Sequence, residues 1–251
     1  MIGAEVCALV DGHAARAWRL EGTGESPTLV LVHSAGGNQR SFDTVLPFLE
    51  GRSVLVPSFP GRMGSEGPHP GTAIAAAAWL RSLFDALGVA PAIVVGHSVG
   101  GAIAIELALS HADALTGLVL MSTGARLRVL PDVLLALEAA VARGEPADLS
   151  TWLAPDPARQ HTPPAAALAD WRMADGFNRL ADVARIRART LVLSGTADPL
   201  TPPKYAAFLR DRIPGATLVS FEGAGHDLPL ERPADVADAL GALDESHVGT
   251  S

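Results

Sequence analysis

The sequence predicts an α/β protein: a mostly parallel, doubly wound sheet of eight strands flanked by helices, with a helical segment inserted late in the chain. Three observations predict it. Short β-branched runs alternate with longer helical patterns, the signature of strand–helix–strand units. The middle runs, Leu29-Val30-Leu31-Val32 and Ile93-Val94-Val95, are continuously apolar, as in strands buried on both faces. One interval, 124–189, breaks the alternation where a single helix would suffice.

In chain order, the strand-like runs are Glu5–Val10, Ala15–Glu21, Thr28–His33, Ser53–Pro57, Ala92–Gly96, Thr116–Ser122, Thr190–Gly195 and Ala216–Glu222. The first two have no helix between them and are expected to form an antiparallel hairpin through His13. Helical patterns cover Ser41–Leu49, Thr72–Leu87, Val99–Ser110, Pro203–Arg212 and Pro233–Leu243. Within the interval 124–189, Val133–Arg143 reads as a helix stopped by Gly144, with Pro163–Arg172 and Gly176–Ala184 as two more. Structureless loops beyond ~15 residues are uncommon, so residues 124–189 are expected to be a helical lid inserted within one domain spanning 1–251. Asp244–Ser251 reads as a frayed tail.

Composition narrows the function. The 251 residues carry 19 Lys+Arg against 27 Asp+Glu, a net charge of −8, and Lys204 is the single lysine. An acidic chain without a basic block is poorly built to hold phosphate backbones, so no nucleic-acid partner is expected. Cys7 is the single cysteine, which excludes an internal disulfide framework and a multi-cysteine zinc site. Cys7 itself reads as a small core hydrophobe. The N-terminus has no signal-peptide pattern, and the longest apolar run, Ala73 to Leu80, falls short of the ~20 residues of a membrane span. A soluble, cytoplasmic protein without a membrane partner is expected.

The chemistry points to Gly96-His97-Ser98-Val99-Gly100-Gly101. It matches G-x-S-x-G, follows an apolar strand and runs into a helix, which is the context a nucleophile elbow requires. A serine at the tip of so sharp a turn needs small neighbours, and Gly96, Gly100 and Gly101 supply them. The helix start offers the Val99 N–H and a positive dipole end to a developing oxyanion. A serine needs a base, and the base an orienting acid. Asp198 follows the strand Thr190–Gly195 and His226 follows Ala216–Glu222, so all three groups stand at carboxyl ends of strands, where open α/β sheets hold their sites.

With these residues the chain resembles the α/β-hydrolase-fold serine hydrolases, over nearly its whole length from the strand ending in His33 to the helix after Pro233. Gly195-Thr196-Ala197-Asp198-Pro199-Leu200-Thr201-Pro202 and Gly225-His226-Asp227-Leu228-Pro229-Leu230-Glu231-Arg232-Pro233 resemble family signatures. The resemblance implies Ser98 as nucleophile, His226 as base and Asp198 as acid, with no cofactor. The serine counts against the aspartate-dependent epoxide hydrolases and haloalkane dehalogenases of this fold. The family's His-Gly after the third strand is here His33-Ser34-Ala35-Gly36-Gly37, which puts the second oxyanion donor at the Ala35 N–H. Ala35-Gly36-Gly37 and Pro60-Gly61-Arg62 resemble motifs of the type II thioesterases of the same fold.

The expected activity is cleavage of a carboxylic ester through an acyl-enzyme, on a small neutral or hydrophobic molecule. An acyl thioesterase, a carbon–carbon bond hydrolase, a lactonase and a cofactor-free haloperoxidase use the same triad, and a hydrolase-like binding protein can keep it. Trp152, Trp171 and Phe177 in the insertion are candidates to line the substrate pocket. His33 and His97 read as structural histidines, His33 bonding a backbone carbonyl. His13, His69, His111, His161 and His247 show no ligand spacing, so no metal is expected.

Overall fold

The computed structural model describes residues 3–24, 26–89 and 91–245, with backbone alone for 244 and 245. Among the described residues there are eight strands, β1 (Gly3–Val10), β2 (His13–Leu20), β3 (Leu29–Val32), β4 (Val54–Ser58), β5 (Ala92–His97), β6 (Leu115–Met121), β7 (Arg189–Gly195) and β8 (Thr217–Phe221). They form one sheet in the order β1-β2-β4-β3-β5-β6-β7-β8. Only β2 runs against its neighbours; every other pairing is parallel. All eight expected strands are present. The hairpin turn is Asp11-Gly12, both at positive φ (51° and 81°), because Val10 pairs with His13 and leaves two residues to turn. That is the type I′ geometry Asp-Gly favours.

The helices are α1 (Ala73–Leu87), α2 (Val99–Ser110), α3 (Pro131–Arg143), α4 (Pro157–Gln160), α5 (Pro164–Asp175), α6 (Pro203–Arg212), α7 (Leu228–Glu231) and α8 (Pro233–Glu245). Thr72 caps α1 through its hydroxyl, which accepts from the Ala75 N–H. Gly144 ends α3 in the left-handed conformation, as expected.

Strand residues alternate between two cores. Val30, Val32, Val94, Leu118, Leu120 and Val192 face the layer of α1, α2 and α6. Leu29, Leu31, Ile93, Val95, Val119 and Leu193 face Phe42, Val45 and the α8 residues Val236 and Leu240. Both faces of the central strands are thus dry, which is why their sequences are apolar without alternation.

Four expectations need correction. Ser41–Leu49 is a run of turns ending in a short 3₁₀ helix at Leu46–Phe48. Pro47 has no N–H to bond back to residue 43, so the chain tightens into bonds such as Phe48 N–H to the Val45 carbonyl. The apolar spacing still buries Phe42, Val45 and Leu49. Gly176–Ala184 is not a helix either. There the chain returns beside residues 125–127: the Arg179 N–H donates to the Ala125 carbonyl and the Leu127 N–H to the Phe177 carbonyl. The Arg179 guanidinium then meets Glu106, a buried carboxylate on α2, at 2.7 and 3.2 Å. Cys7 is exposed, because inward positions of the edge strand β1 fall to Val6, Ala8 and Val10. The expected tail is helical in backbone to Glu245, and 246–251 lies outside the described residues. Among the described residues, no helix is long and apolar enough to cross a membrane.

Candidate active site

Ser98 sits between β5 and α2 at φ 56° and ψ −117°, a conformation that L residues rarely adopt. Close backbone packing enforces it. A Cβ at Gly96 would lie 2.3 Å from the Gly100 carbonyl oxygen, and one at Gly100 would lie 2.3 Å from that of Val32. Glycine at these positions lets the elbow rest against the end of β3. The Ser98 N–H donates to the Met121 carbonyl at 2.9 Å, and the Thr123 hydroxyl donates to the Ser98 carbonyl at 2.8 Å.

The loops after β7 and β8 bring the two partners in. A Cβ at Gly195 would lie 2.3 Å from the carbonyl oxygens of both Ala224 and Gly225, so the loops touch where β7 ends. His226 Nε2 lies 3.0 Å from Ser98 Oγ, and His226 Nδ1 lies 2.9 Å from Asp198 Oδ2. All three groups are buried. Asp198 also accepts from the Leu200 and Thr201 N–H groups, each at 2.8 Å, and from the Thr201 hydroxyl at 2.6 Å. Burial pushes its carboxyl up. The hydrogen bond and charge of His226, with the Thr201 contacts, outweigh burial and bring it down to about 2.

His226 is held on both sides. The Glu231 carboxylate accepts the Gly225 N–H at 2.6 Å and the Asp227 N–H at 3.1 Å. His97 Nε2–H donates to the His226 carbonyl at 2.9 Å. Burial, with the His226 ring nearby, lowers the His97 ring to about 4, so it serves as a neutral strut. The Asp227 carboxylate faces the insertion, accepting from the Ala154 N–H and the Arg159 guanidinium. Burial pushes Asp227 up, and Arg159 more than offsets this and holds it below the usual carboxylate range.

Val99 opens α2, and Ala35 lies in the loop after β3. Among the described residues neither N–H is committed to another protein acceptor. His33 bonds the Ser34 carbonyl through Nδ1 at 2.9 Å, as expected. Burial and the Arg62 charge lower its ring to about 4. Arg62 itself forms a two-pronged buried pair with Asp170 of α5, at 2.6 and 3.0 Å, and His69 Nε2 reaches the same carboxylate at 2.7 Å. Burial pushes Asp170 up, but Arg62 and the His69 hydrogen bond override it and hold the carboxyl well below its usual range. Asp170, His69, Arg159, Asp227 and Glu231 play no part in the expected constellation. Thr201 and Glu231 were visible as members of the two signature stretches; Asp170 carries no local signal.

A cavity of about 470 Å³ opens between the loop after β3 and the insertion, lined among others by Ala35, Gly36, Leu137, Leu149, Leu153 and Trp171. It reaches the site at Ala35 and Gly36, while Ser98 and His226 do not line it. Of the three expected pocket aromatics only Trp171 is in it. Trp152 packs, half-buried, against the core. Phe177 lies at a separate 220 Å³ depression with Met173 and Arg179, because the turn after α5 directs it toward the core rather than the cavity. Among the described residues no cluster of three or more His, Cys, Asp or Glu could hold a metal ion.

A serine at the elbow after β5, hydrogen-bonded through a histidine after β8 to a carboxylate after β7, places the protein in the class of α/β-fold hydrolases. The chain belongs to the alpha/beta hydrolase family, whose profile matches residues 29–239. It is 30% identical to a pimeloyl-[acyl-carrier protein] methyl ester esterase of Neisseria meningitidis serogroup B, over 78% of this chain and 84% of that protein. A putative carbamate hydrolase of Pseudomonas savastanoi pv. phaseolicola is 28% identical, over 83% of this chain and 90% of its own. Among solved structures, a thermophilic esterase superposes with a TM-score of 0.80 at 28% identity, covering 100% of both chains. The enol-lactonase from Burkholderia xenovorans LB400 shares the fold, with a TM-score of 0.83 at 24% identity over 94% of this chain and 98% of that one.

Proposed function

We propose that the protein is a serine hydrolase that cleaves a carboxylic ester through an acyl-enzyme. The observation that carries this reading is the continuous chain Ser98 Oγ–His226–Asp198, at 3.0 and 2.9 Å. His226 takes the Ser98 proton at Nε2 as Oγ attacks the ester carbonyl, and Asp198 holds the Nδ1–H and stabilises the imidazolium. The carbonyl oxygen, now negative, is met by the Val99 and Ala35 N–H groups, aided by the dipole of α2. His226 then gives its proton to the departing alcohol. Water, activated by the same nitrogen, attacks the acyl carbon, releases the acid and restores Ser98.

The segment 124–189 acts in this reading as a lid within a single domain. The apolar lining supplied by Leu137, Leu149, Leu153 and Trp171 suits a small neutral or hydrophobic acyl or alcohol group. The methyl ester esterase relative and the esterase of like structure support an oxygen ester as the first class to try.

The test is a panel of p-nitrophenyl esters of increasing acyl length, with acyl-thioester and lactone members, run on wild type and on Ser98→Ala. The expected result is oxygen-ester turnover that Ser98→Ala abolishes while the melting temperature holds. Turnover that survives Ser98→Ala contradicts the mechanism, and preference for a thioester or lactone replaces the substrate class.

A further inference from the structure

The loop after β3 is a tight turn whose geometry is set from outside itself. The Gly37 N–H donates to the Ser34 carbonyl at 3.0 Å, which makes Ser34–Gly37 a β-turn with Ala35 and Gly36 at its centre. Of these two, only Gly36 has positive φ, at 72°. That is the type II pattern, which differs from the commoner type I by a flip of the central peptide. The flipping group is the peptide joining Ala35 to Gly36, next to the proposed oxyanion donor.

Two buried charges hold that peptide and the one that leaves the turn, between Gly37 and Asn38. The Gly36 N–H donates to Asp170 Oδ2 at 2.9 Å. Arg62 Nη1 donates to the same oxygen at 2.6 Å and to the Gly37 carbonyl at 3.0 Å. Arg62 Nη2 and His69 Nε2 occupy the other oxygen, at 3.0 and 2.7 Å. A flipped peptide would turn the Ala35 carbonyl toward the Asp170 carboxylate, oxygen against oxygen, so the negative charge selects the present form. The side chains of Arg62 and Asp170 are 0% and 3% exposed. A buried ion pair is a poor way to gain stability, since apolar residues of similar volume often do as well or better. What the pair supplies, and apolar residues cannot, is direction: an acceptor for the central peptide of the turn and a donor to the peptide that leaves it.

We infer that Asp170, clamped by Arg62, is a positioning residue for the oxyanion hole: it fixes the Ser34–Gly37 turn so that the Ala35 N–H faces the carbonyl attacked by Ser98. The inference rests on the ester-hydrolase reading above. Asp170 rides on α5, inside the 124–189 segment, while Arg62 and the turn belong to the strand-end loops. The hole is therefore complete only when this segment is seated, which couples substrate enclosure to transition-state stabilisation.

The test compares wild type with the double variant Arg62→Met/Asp170→Leu, which leaves no orphan charge, and with Asp170→Asn and Arg62→Lys. The readouts are kcat and KM on the p-nitrophenyl ester that wild type turns over best, and Ki for a trifluoromethyl ketone with the same acyl chain. The double variant is expected to lose roughly 10- to 100-fold in kcat while KM changes by less than about twofold. Ki should rise by the same factor as kcat/KM falls, since that inhibitor binds as the tetrahedral adduct. Asp170→Asn, whose amide oxygen can still accept the Gly36 N–H, should recover part of the loss, and Arg62→Lys should lie between wild type and the double variant. A cooperatively melting double variant with kcat and Ki like wild type overturns the inference. If the double variant does not fold, wild-type kcat and Ki in both single variants overturn it equally. A wild type that hydrolyses no ester, and whose Ser98 no fluorophosphonate labels, fails the underlying reading instead, and that is seen before any variant is made.

Discussion

Lowering the pH from 7 to 5 should destabilise the native state through His33 and His97. Burial lowers both rings from 6.5 to about 4, reinforced by the Arg62 charge at His33 and by the His226 ring at His97. Between those values the unfolded chain binds protons that the native one refuses, so stability falls as pH falls from 6.5 toward 4. At pH 5 the difference amounts to about 2 kcal/mol for each ring and about 4 kcal/mol for the pair. For a chain of this size that lowers the melting temperature by roughly 10 °C. Asp198, at about 2, acts in a separate window: its stabilisation is present above the ordinary carboxylate value of 3.8 and is lost only below it. Asp156 and Asp43, raised by burial, gain protons on folding and offset part of the loss near the acid end. The assay is urea unfolding at pH 7 and pH 5, followed by circular dichroism and tryptophan fluorescence, on wild type, His33→Asn and His97→Asn. Each variant should shrink the pH-dependent loss by about 2 kcal/mol, whatever it costs at pH 7. A wild type equally stable at both values, or variants that lose as much as wild type, would mean that His33 and His97 do not carry the acid destabilisation.

Two further outcomes follow from single contacts. Thr201→Val removes the hydroxyl bond to Asp198 and should cost about 2 kcal/mol in urea unfolding, with kcat lowered more than KM is raised; Thr201→Ser should restore both. Arg179→Met strands the buried Glu106 carboxylate, so the fold should lose about 3 kcal/mol, and Glu106→Leu in the same chain should recover most of it by removing the orphan charge.

The fold was legible because each central strand is apolar on both faces and each connection is short. Periodicity failed where it measured burial rather than helix: Phe42, Val45 and Leu49 are core residues on a chain that Pro47 keeps from coiling. It failed again at Gly176–Ala184, where pairing with residues 125–127, far off in sequence, overrode the local pattern. The grouping of Ser98, His226 and Asp198 was legible because an elbow, and a polar residue just beyond a strand, are local patterns. The Arg62–Asp170–His69 cluster was not, since its members meet across 108 and 101 residues and nothing local marks Asp170. Trp152, Trp171 and Phe177 looked alike as insertion aromatics, and only packing separates the one in the cavity from the other two.

In the proposed mechanism Ser98 carries the acyl group between the two half-reactions. The direct measurement is rapid acid quench of the enzyme turning over a p-nitrophenyl ester, followed by intact and peptide mass spectrometry. An added acyl mass on the peptide containing Ser98 is expected, formed with a burst of p-nitrophenol and absent from Ser98→Ala. Steady ester turnover with no adduct and no burst in wild type, and with undiminished rate in Ser98→Ala, would contradict that mechanism.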